Sequence, residues 1–340
     1  MARVRHHEPM EPTDVLVIDA HTVRRLLPMA ECIEVVAEAL GALARDRAIN
    51  PLRSILGLPF GGSALAVMPG AQVEPATFGV KVISVFPQNR EAGMESHQGV
   101  VLLFEAEHGR PVAIVDASEV TALRTAAVSG AATRALARPD ADDLAILGSG
   151  TQARTHLEAM LAVRPVRRVR AWSPTRSRLA GFAAEATERH GIAVEAVAEP
   201  RDAVEGASLV CTVSGAAAPI VRGEWLASGC HVNAVGSAMP TARELDGEAV
   251  RRSRLIVDRR ESAMHESGDI LLAIAEGAIG PDHLAGELGE VLIGAVHGRT
   301  DPEQVTLFKS LGLAVEDVAA AHAVYEAARA AGAGTTVRLA

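Results

Sequence analysis

Asp143-Leu144-Ala145-Ile146-Leu147-Gly148-Ser149-Gly150-Thr151-Gln152-Ala153 sets the reading of the whole chain. A short apolar run passes straight into Gly-x-Gly-x-x-Ala, and from Ala153 to Leu161 the apolar residues take helical spacing. Strand, glycine turn and helix therefore come in the order of a Rossmann-type βα unit. Gly148 permits the tight turn, Gly150 lets backbone approach a pyrophosphate, and the small Ala153 lets the helix pack close to the strand. The helix N-terminus adds unpaired N–H donors and a positive dipole end. Gly148, Ser149, Gly150, Thr151, Gln152 and Ala153 are thus the expected pyrophosphate site of a dinucleotide cofactor.

Downstream, apolar runs at Val169–Trp172, Leu209–Val213, Val232–Val235 and Leu255–Val257 alternate with helical stretches. Such alternation predicts a parallel sheet with right-handed crossovers. The end of the second strand reads Ala171-Trp172-Ser173-Pro174-Thr175-Arg176-Ser177-Arg178. An acid there would bind a ribose diol, whereas a cation tolerates a 2′-phosphate. No acid is present, so Ser173 with Arg176 favours NADP(H), with NAD(H) as the other option. The bland alternative is that Arg176 and Arg178 are a solvated helix start.

Upstream, Val23 to Arg45 has helical apolar spacing interrupted by Pro28, and Arg53 to Val115 has short strand-like runs closed by Gly, Pro or Asn. Thr121 to Ala137 reads as a long Ala-rich helix ended by Pro139 and Asp140, and Leu307 to Ala331 as a second one that returns to the N-terminal region. The fold class is α/β, a Rossmann-type parallel-sheet domain joined to an α+β domain.

Composition narrows the functional classes. The chain has 340 residues, 49% hydrophobic and 22% charged, enough apolar content for two cores and too much for disorder. Its formal charge of −9 argues against nucleic acid, which needs a concentrated excess of Lys and Arg. Cys32, Cys211 and Cys230 form no Cys-x-x-Cys pair, so no metal site or disulfide framework is expected and a reducing cytoplasm fits. Met1 to Asp14 is polar and reads as a loose tail, and no apolar run is long enough to cross a bilayer, so a soluble protein is expected.

Three cations stand in apolar or small-residue surroundings: Arg53 in Pro51-Leu52-Arg53-Ser54-Ile55, Lys81 in Val80-Lys81-Val82-Ile83, and Arg124 in Ala122-Leu123-Arg124-Thr125-Ala126. A buried cation needs a partner. Each can pair with a carboxylate of the fold; together, beside a dinucleotide domain, they can clamp the carboxylate of a small acid, Arg offering a planar fork and Lys a point charge.

These segments, with Val67-Met68-Pro69, Phe86-Pro87-Gln88-Asn89, Gly268-Asp269-Ile270 and Thr306-Leu307-Phe308-Lys309-Ser310-Leu311-Gly312, resemble the ornithine cyclodeaminase/mu-crystallin family, in order from about residue 15 to 335. With the flexible tail at 1–14 set aside, the resemblance implies a substrate-binding and dimerisation domain at 15–122 completed by 310–340, a Rossmann domain at 123–309, and a homodimer formed through the sheets. It implies that Arg53, Lys81 and Arg124 surround a substrate carboxylate and the reacting nitrogen, with Lys81 as the catalytic candidate. Members resembling this chain either recycle the dinucleotide, cyclising ornithine, or consume it as amino-acid dehydrogenases and cyclic ketimine reductases.

One position separates these activities. Cyclodeaminases of the family carry Asp in a Gly-x-Asp-x-Pro segment, as base and partner of the distal amine; here Gly236-Ser237-Ala238-Met239-Pro240 places Ala238 there. Alanine can neither accept a proton nor pair with an ammonium group. The expectation is an NAD(P)H-dependent reductase of a cyclic ketimine or imine carboxylate, or a related amino-acid dehydrogenase. An ornithine or lysine cyclodeaminase with Asp269 or Glu266 standing in, and a non-catalytic dinucleotide-binding protein of crystallin type, are the alternatives. The plain role of Asp269 is an N-cap of the following helix, and that of His97 a hydrogen-bonded loop residue.

Overall fold

The computed structural model describes residues 14–90 and 92–339. The expected N-terminal tail lies outside the described residues, except that Asp14 already opens a strand. That strand, β1 (Asp14–Ile18), leads into α1 (Ala20–Leu26) and α2 (Met29–Ala44), separated by Leu27 and Pro28 as the interrupted spacing predicts. There follow β2 (Ala48–Ile49), β3 (Ser54–Gly57), β4 (Ala64–Gln72), β5 (Thr77–Val85), β6 (His97–Glu105), β7 (Pro111–Asp116) and α3 (Ala117–Leu136). The strict alternation comes next: β8 (Asp143–Leu147), α4 (Thr151–Val163), β9 (Arg168–Trp172), α5 (Arg176–His190), β10 (Val194–Ala196), α6 (Pro200–Val204), β11 (Leu209–Thr212) and β12 (His231–Ala234). The chain closes with α7 (Gly247–Arg252), β13 (Ser253–Val257), α8 (Arg260–Glu266), α9 (Gly268–Ala275), β14 (Leu284–Glu287), α10 (Leu288–Leu292), β15 (Val305–Lys309), α11 (Ala314–Ala331) and β16 (Thr335–Arg338).

Two sheets result. The second is parallel throughout, in the order β10-β9-β8-β11-β12-β15-β13-β14. Its direction of winding reverses between β8 and β11, so the glycine turn stands at a topological switch point, where open α/β sheets bind ligands. The first, β16-β1-β7-β6-β5-β4-β2 with β3 beside β4, is antiparallel apart from β1 and β7. Side chains alternate between its faces. On β5, Gly79, Lys81 and Ile83 are buried, while Phe78, Val80 and Val82 are exposed or half-buried.

Two helices differ from the sequence expectation. The helix expected from Thr121 starts at Ala117, because Asp116 accepts the Glu119 N–H at 2.7 Å and caps it earlier. The helix expected from Leu307 starts at Ala314; Leu307-Phe308-Lys309 is the end of β15, inserted between β12 and β13. A short apolar run has no period long enough to tell strand from helix. Helix α3 is buried along nearly its whole length by small residues, and it packs against α2, α4 and α11. The 122/123 junction expected from the sequence falls inside it.

Candidate active site

The expected pyrophosphate turn has the required geometry. Gly148 has φ +141°, and a Cβ there would lie 2.7 Å from the Val213 carbonyl at the end of β11; only glycine fits. Above Gly150, nothing lies within 4 Å of where a Cβ would sit, and α4 begins at Thr151 with no capping side chain and no acid in its first turn. Ala153 is fully buried against the sheet. The Gln152 side-chain carbonyl is buried and receives no hydrogen bond. An open glycine and an uncapped, acid-free helix end with free N–H donors fit a dinucleotide phosphate group.

Neighbouring contacts brace the turn. Arg154 Nη1 donates to the carbonyls of Ser149 (2.8 Å) and Gly150 (3.2 Å) while its Nε pairs with Glu185. Ser149 Oγ donates to Ser173 Oγ at 2.9 Å, joining the turn to the end of β9. Arg176 is exposed at the first position of α5, whose N-terminus also lacks a side-chain cap and an acid. Thr151 Oγ1 donates to Glu95 Oε1 at 3.2 Å, a contact from the β5–β6 connection that no local pattern foretold.

The three cations meet on one segment, Leu311 to Asp317. Lys81 Nζ lies 2.7 Å from Asp317 Oδ2 and donates to Thr121 Oγ1 at 3.4 Å. Arg124 Nε donates to Asp317 Oδ1 and its Nη1 to Glu316 Oε2, both at 2.8 Å. Arg53 Nη2 donates to the carbonyls of Leu311 (2.8 Å) and Gly312 (2.9 Å), and its Nε to Glu266 Oε1 at 3.0 Å. Gly312, at φ +81°, lies so close over Arg124 that a Cβ would sit 2.4 Å from Nη1. Asp258 Oδ2 takes the N–H groups of Leu311 and Gly312 from behind. Pairing with carboxylates of the fold and convergence on one place are therefore both true.

Burial sets the protonation of this cluster. Lys81 is 2% and Arg124 4% exposed. Desolvation pushes the Lys81 ammonium down to about 8 despite Asp317, with Arg124 and Arg53 adding to the fall. Desolvation likewise pushes Glu316 up to about 7 and raises Asp258 and Glu266.

A second buried charge network lies at the strand ends beside Ala238. Lys309 Nζ donates to the Ser237 carbonyl at 2.5 Å and lies 2.9 Å from Asp269 Oδ2. Asp269 Oδ1 accepts the N–H groups of Glu244 (2.8 Å) and Leu245 (2.9 Å). The Glu244 carboxylate accepts from Ser214 N, Ser214 Oγ and Gly236 N, tying the loops after β11 and β12 together. Asp269 is not the N-cap of α9: Ser267 is, since Gly268 already belongs to the helix and Asp269 points back at the 244–245 backbone. Neither acid proposed as a substitute for the missing Asp is free, because Asp269 holds Lys309 and Glu266 holds Arg53. Ala238 itself is exposed. His97, the first residue of β6, is hydrogen-bonded to Ser96 Oγ through Nδ1. Lys309 was missed, although a cation inside an apolar run is the signal that picked out Lys81. Glu316 and Asp317, lost among alanines, gave no such signal.

A Rossmann-ordered sheet and its open glycine turn suit a nicotinamide dinucleotide, and the relatives of the chain make it a nicotinamide-dependent oxidoreductase acting on carbon–nitrogen bonds. The chain belongs to the ornithine cyclodeaminase/mu-crystallin family, whose model matches residues 13–332. It is 36% identical over 324 residues to the Δ1-pyrroline-2-carboxylate reductase of Bacillus cereus, covering 95% of this chain and 99% of that one. It is 38% identical over 278 residues to the ketimine reductase mu-crystallin of Mus musculus, covering 82% and 85%. The solved structure of Thermococcus litoralis Δ1-pyrroline-2-carboxylate reductase with NADH and L-proline superposes with a TM-score of 0.93 at 36% identity, covering 95% of this chain and all of that one. Among the described residues no helix is long and apolar enough to cross a membrane.

Proposed function

We propose that the protein reduces a small cyclic imine carboxylate, of the Δ1-pyrroline-2-carboxylate or Δ1-piperideine-2-carboxylate kind, to the cyclic amino acid. The observation that carries this reading is the convergence of Arg53, Lys81 and Arg124 on Leu311–Asp317 in a chain with Ala238 at the position of the cyclodeaminase acid. Gly148, Ser149, Gly150, Thr151, Gln152 and Ala153 would hold the pyrophosphate. A bound nicotinamide supplies the hydride. The residues of the chain do the rest: Arg53 and Arg124 hold the carboxylate, and Lys81, cationic at neutral pH yet close to losing its proton, protonates the imine nitrogen as the C–H bond forms. Lys81 recovers its proton from water after product leaves. The decisive assay is oxidation of NADPH in the presence of each imine. Inactivity on both, or ammonia release from ornithine without net cofactor turnover, would overturn the proposal.

Three finer readings belong with it. NADP(H) is the preferred cofactor, supported by Arg176 at the open, acid-free start of α5 and by the absence of an acid after β9. Arg176→Ala should weaken NADPH binding about tenfold, on the order of one charge-assisted hydrogen bond, and leave NADH binding unchanged; equal effects on both would refute the preference. The protein is a homodimer through the first sheet, supported by the apolar outer face where Val67, Val82 and Val100, then Phe78 and stacked Phe104, lie side by side. The division into 15–122 with 310–340 and 123–309 is supported by the membership of the two sheets, and three buried free cysteines suit a reducing cytoplasm.

A further inference from the structure

The clamp is already filled by the protein's own carboxylates, so a ligand carboxylate has to enter a place where negative charge is in excess. Arg53, Lys81 and Arg124 face four carboxyl groups, Glu266, Asp258, Glu316 and Asp317. With every group ionised, the cluster carries one surplus negative charge before any ligand arrives. A ligand carboxylate would double it inside a buried site, where uncompensated charge is costly.

The carboxyl groups are not equivalent. Asp317 Oδ1 accepts from Arg124 Nε, and Oδ2, which takes no hydrogen bond, has the Lys81 ammonium 2.7 Å away as an ion pair. Glu266 Oε1 accepts from Arg53 Nε, and Oε2, again without a hydrogen bond, has Arg53 Nη2 3.0 Å away as an ion pair. Asp258 accepts backbone N–H groups on both, from Arg259 on one side and from Leu311 and Gly312 on the other. Glu316 differs: Oε2 takes Arg124 Nη1 and the Leu313 N–H, whereas Oε1 is buried, receives no hydrogen bond and, unlike Asp317 Oδ2 and Glu266 Oε2, is not the oxygen nearest its cation. An oxygen without a donor, in a residue with no solvent exposure, is the natural seat of a proton. The charged and titratable groups around it are Arg124 from α3, Asp258 beyond the end of β13, neighbouring Asp317 on α11 and the Cys32 thiol from α2, with Lys81 on β5 and Arg53 across the same segment. Cys32 stays neutral, its thiol pushed up to about 12 by burial. Asp258, facing Glu316 along the 311–313 backbone, disfavours a second negative charge there.

We propose that Glu316 is a proton-accepting group behind the clamp, which takes up one proton as a ligand carboxylate enters among Arg53, Lys81 and Arg124 and releases it as the ligand leaves. No bond to the substrate is made by Glu316; it keeps the charge of the clamp constant, so that the cations are available to the ligand. This linkage rests on the proposed carboxylate site, and the experiment separates the two.

The full-length protein loaded with NADP(H) is titrated calorimetrically with pyrrole-2-carboxylate, a planar carboxylate whose nitrogen is not basic, in two buffers of different ionisation enthalpy. Proton uptake is expected in wild type near neutral pH, with affinity starting to fall above about pH 7, the value to which burial raises Glu316. In Glu316→Gln, which copies the protonated side chain, the fall should begin only near 8, where Lys81 loses its charge, and the uptake near neutrality should vanish. The same onset in both proteins, or binding without proton exchange, overturns the linkage. Failure of the probe to bind at any pH overturns the carboxylate site, and infrared spectroscopy of the ligand-free protein then decides on Glu316 alone. Its carboxylic C=O stretch should bleach as the pH rises through neutrality and be missing from Glu316→Gln; no such band, or a band that persists in the variant, refutes the assignment.

Discussion

The two buried charge networks, one at Leu311–Asp317 and one around Lys309, are built from the same residue types in different ways. Around Lys309 the acids are satisfied mainly by backbone: Asp269 by Glu244 and Leu245, Glu244 by Ser214 and Gly236. Backbone donors are fixed by the strands they end, so this network locks the loops after β11 and β12, and the one Asp269 oxygen without a hydrogen bond lies against Lys309 Nζ at 2.9 Å. At the clamp, side chains meet side chains from β5, α3, the β2–β3 connection and α11; three acid oxygens there receive no hydrogen bond, and of these Glu316 Oε1 is the one that is not nearest a cation. Side-chain pairs can exchange partners when a ligand arrives. A network closed by backbone holds shape, and one closed by side chains can hold a ligand.

Substitutions should separate the two. Arg124→Met removes the cation shared by Glu316 and Asp317, and kcat/KM for the imine should fall by more than about 1,000-fold, roughly 4 kcal/mol, with a loss of stability besides. Lys309→Met leaves Asp269 as a buried unpaired charge and should cost roughly 3–5 kcal/mol in denaturant unfolding. Turnover per folded molecule should stay within a few-fold of wild type; a collapse like that of Arg124→Met would mean that both networks serve the reaction. Arg53→Gln loses a half-buried fork and should raise KM about 10- to 100-fold, about 1.5–3 kcal/mol, with kcat less affected.

The smallest effect is in pH dependence. Burial lowers Lys81 to about 8, so its positive charge is present below that pH and lost as pH rises through it. The alkaline limb of kcat/KM in Glu316→Gln should fall there by about tenfold per pH unit. Lys81→Arg keeps the charge and should move this limb upward, at some loss of kcat because Arg does not release a proton. An alkaline limb unchanged by Lys81→Arg would assign it elsewhere.

Much of this was legible in local sequence. The run from Asp143 to Ala153 encodes strand, turn and helix within eleven neighbours, because each demand there is local: a positive φ at Gly148, a bare backbone at Gly150, a small side chain at Ala153. The alternation after β8 likewise foretold a parallel sheet, and the apolar settings of Arg53, Lys81 and Arg124 marked them as cations in need of partners. Ala238 was readable from its motif. Where the signal was short it misled, as at Leu307-Phe308-Lys309, a strand taken for the start of a helix.

The partners themselves came only from the folded chain. Arg124 and Asp317 are 193 positions apart, and Arg53 reaches Leu311 across 258. No periodicity links residues so distant; sheet register and the return of α11 across the first sheet bring them together. The same holds for charge state: a lysine in a sequence is a cation and a glutamate an anion, until burial and neighbours lower Lys81, raise Glu316 and leave Glu316 Oε1 without a donor.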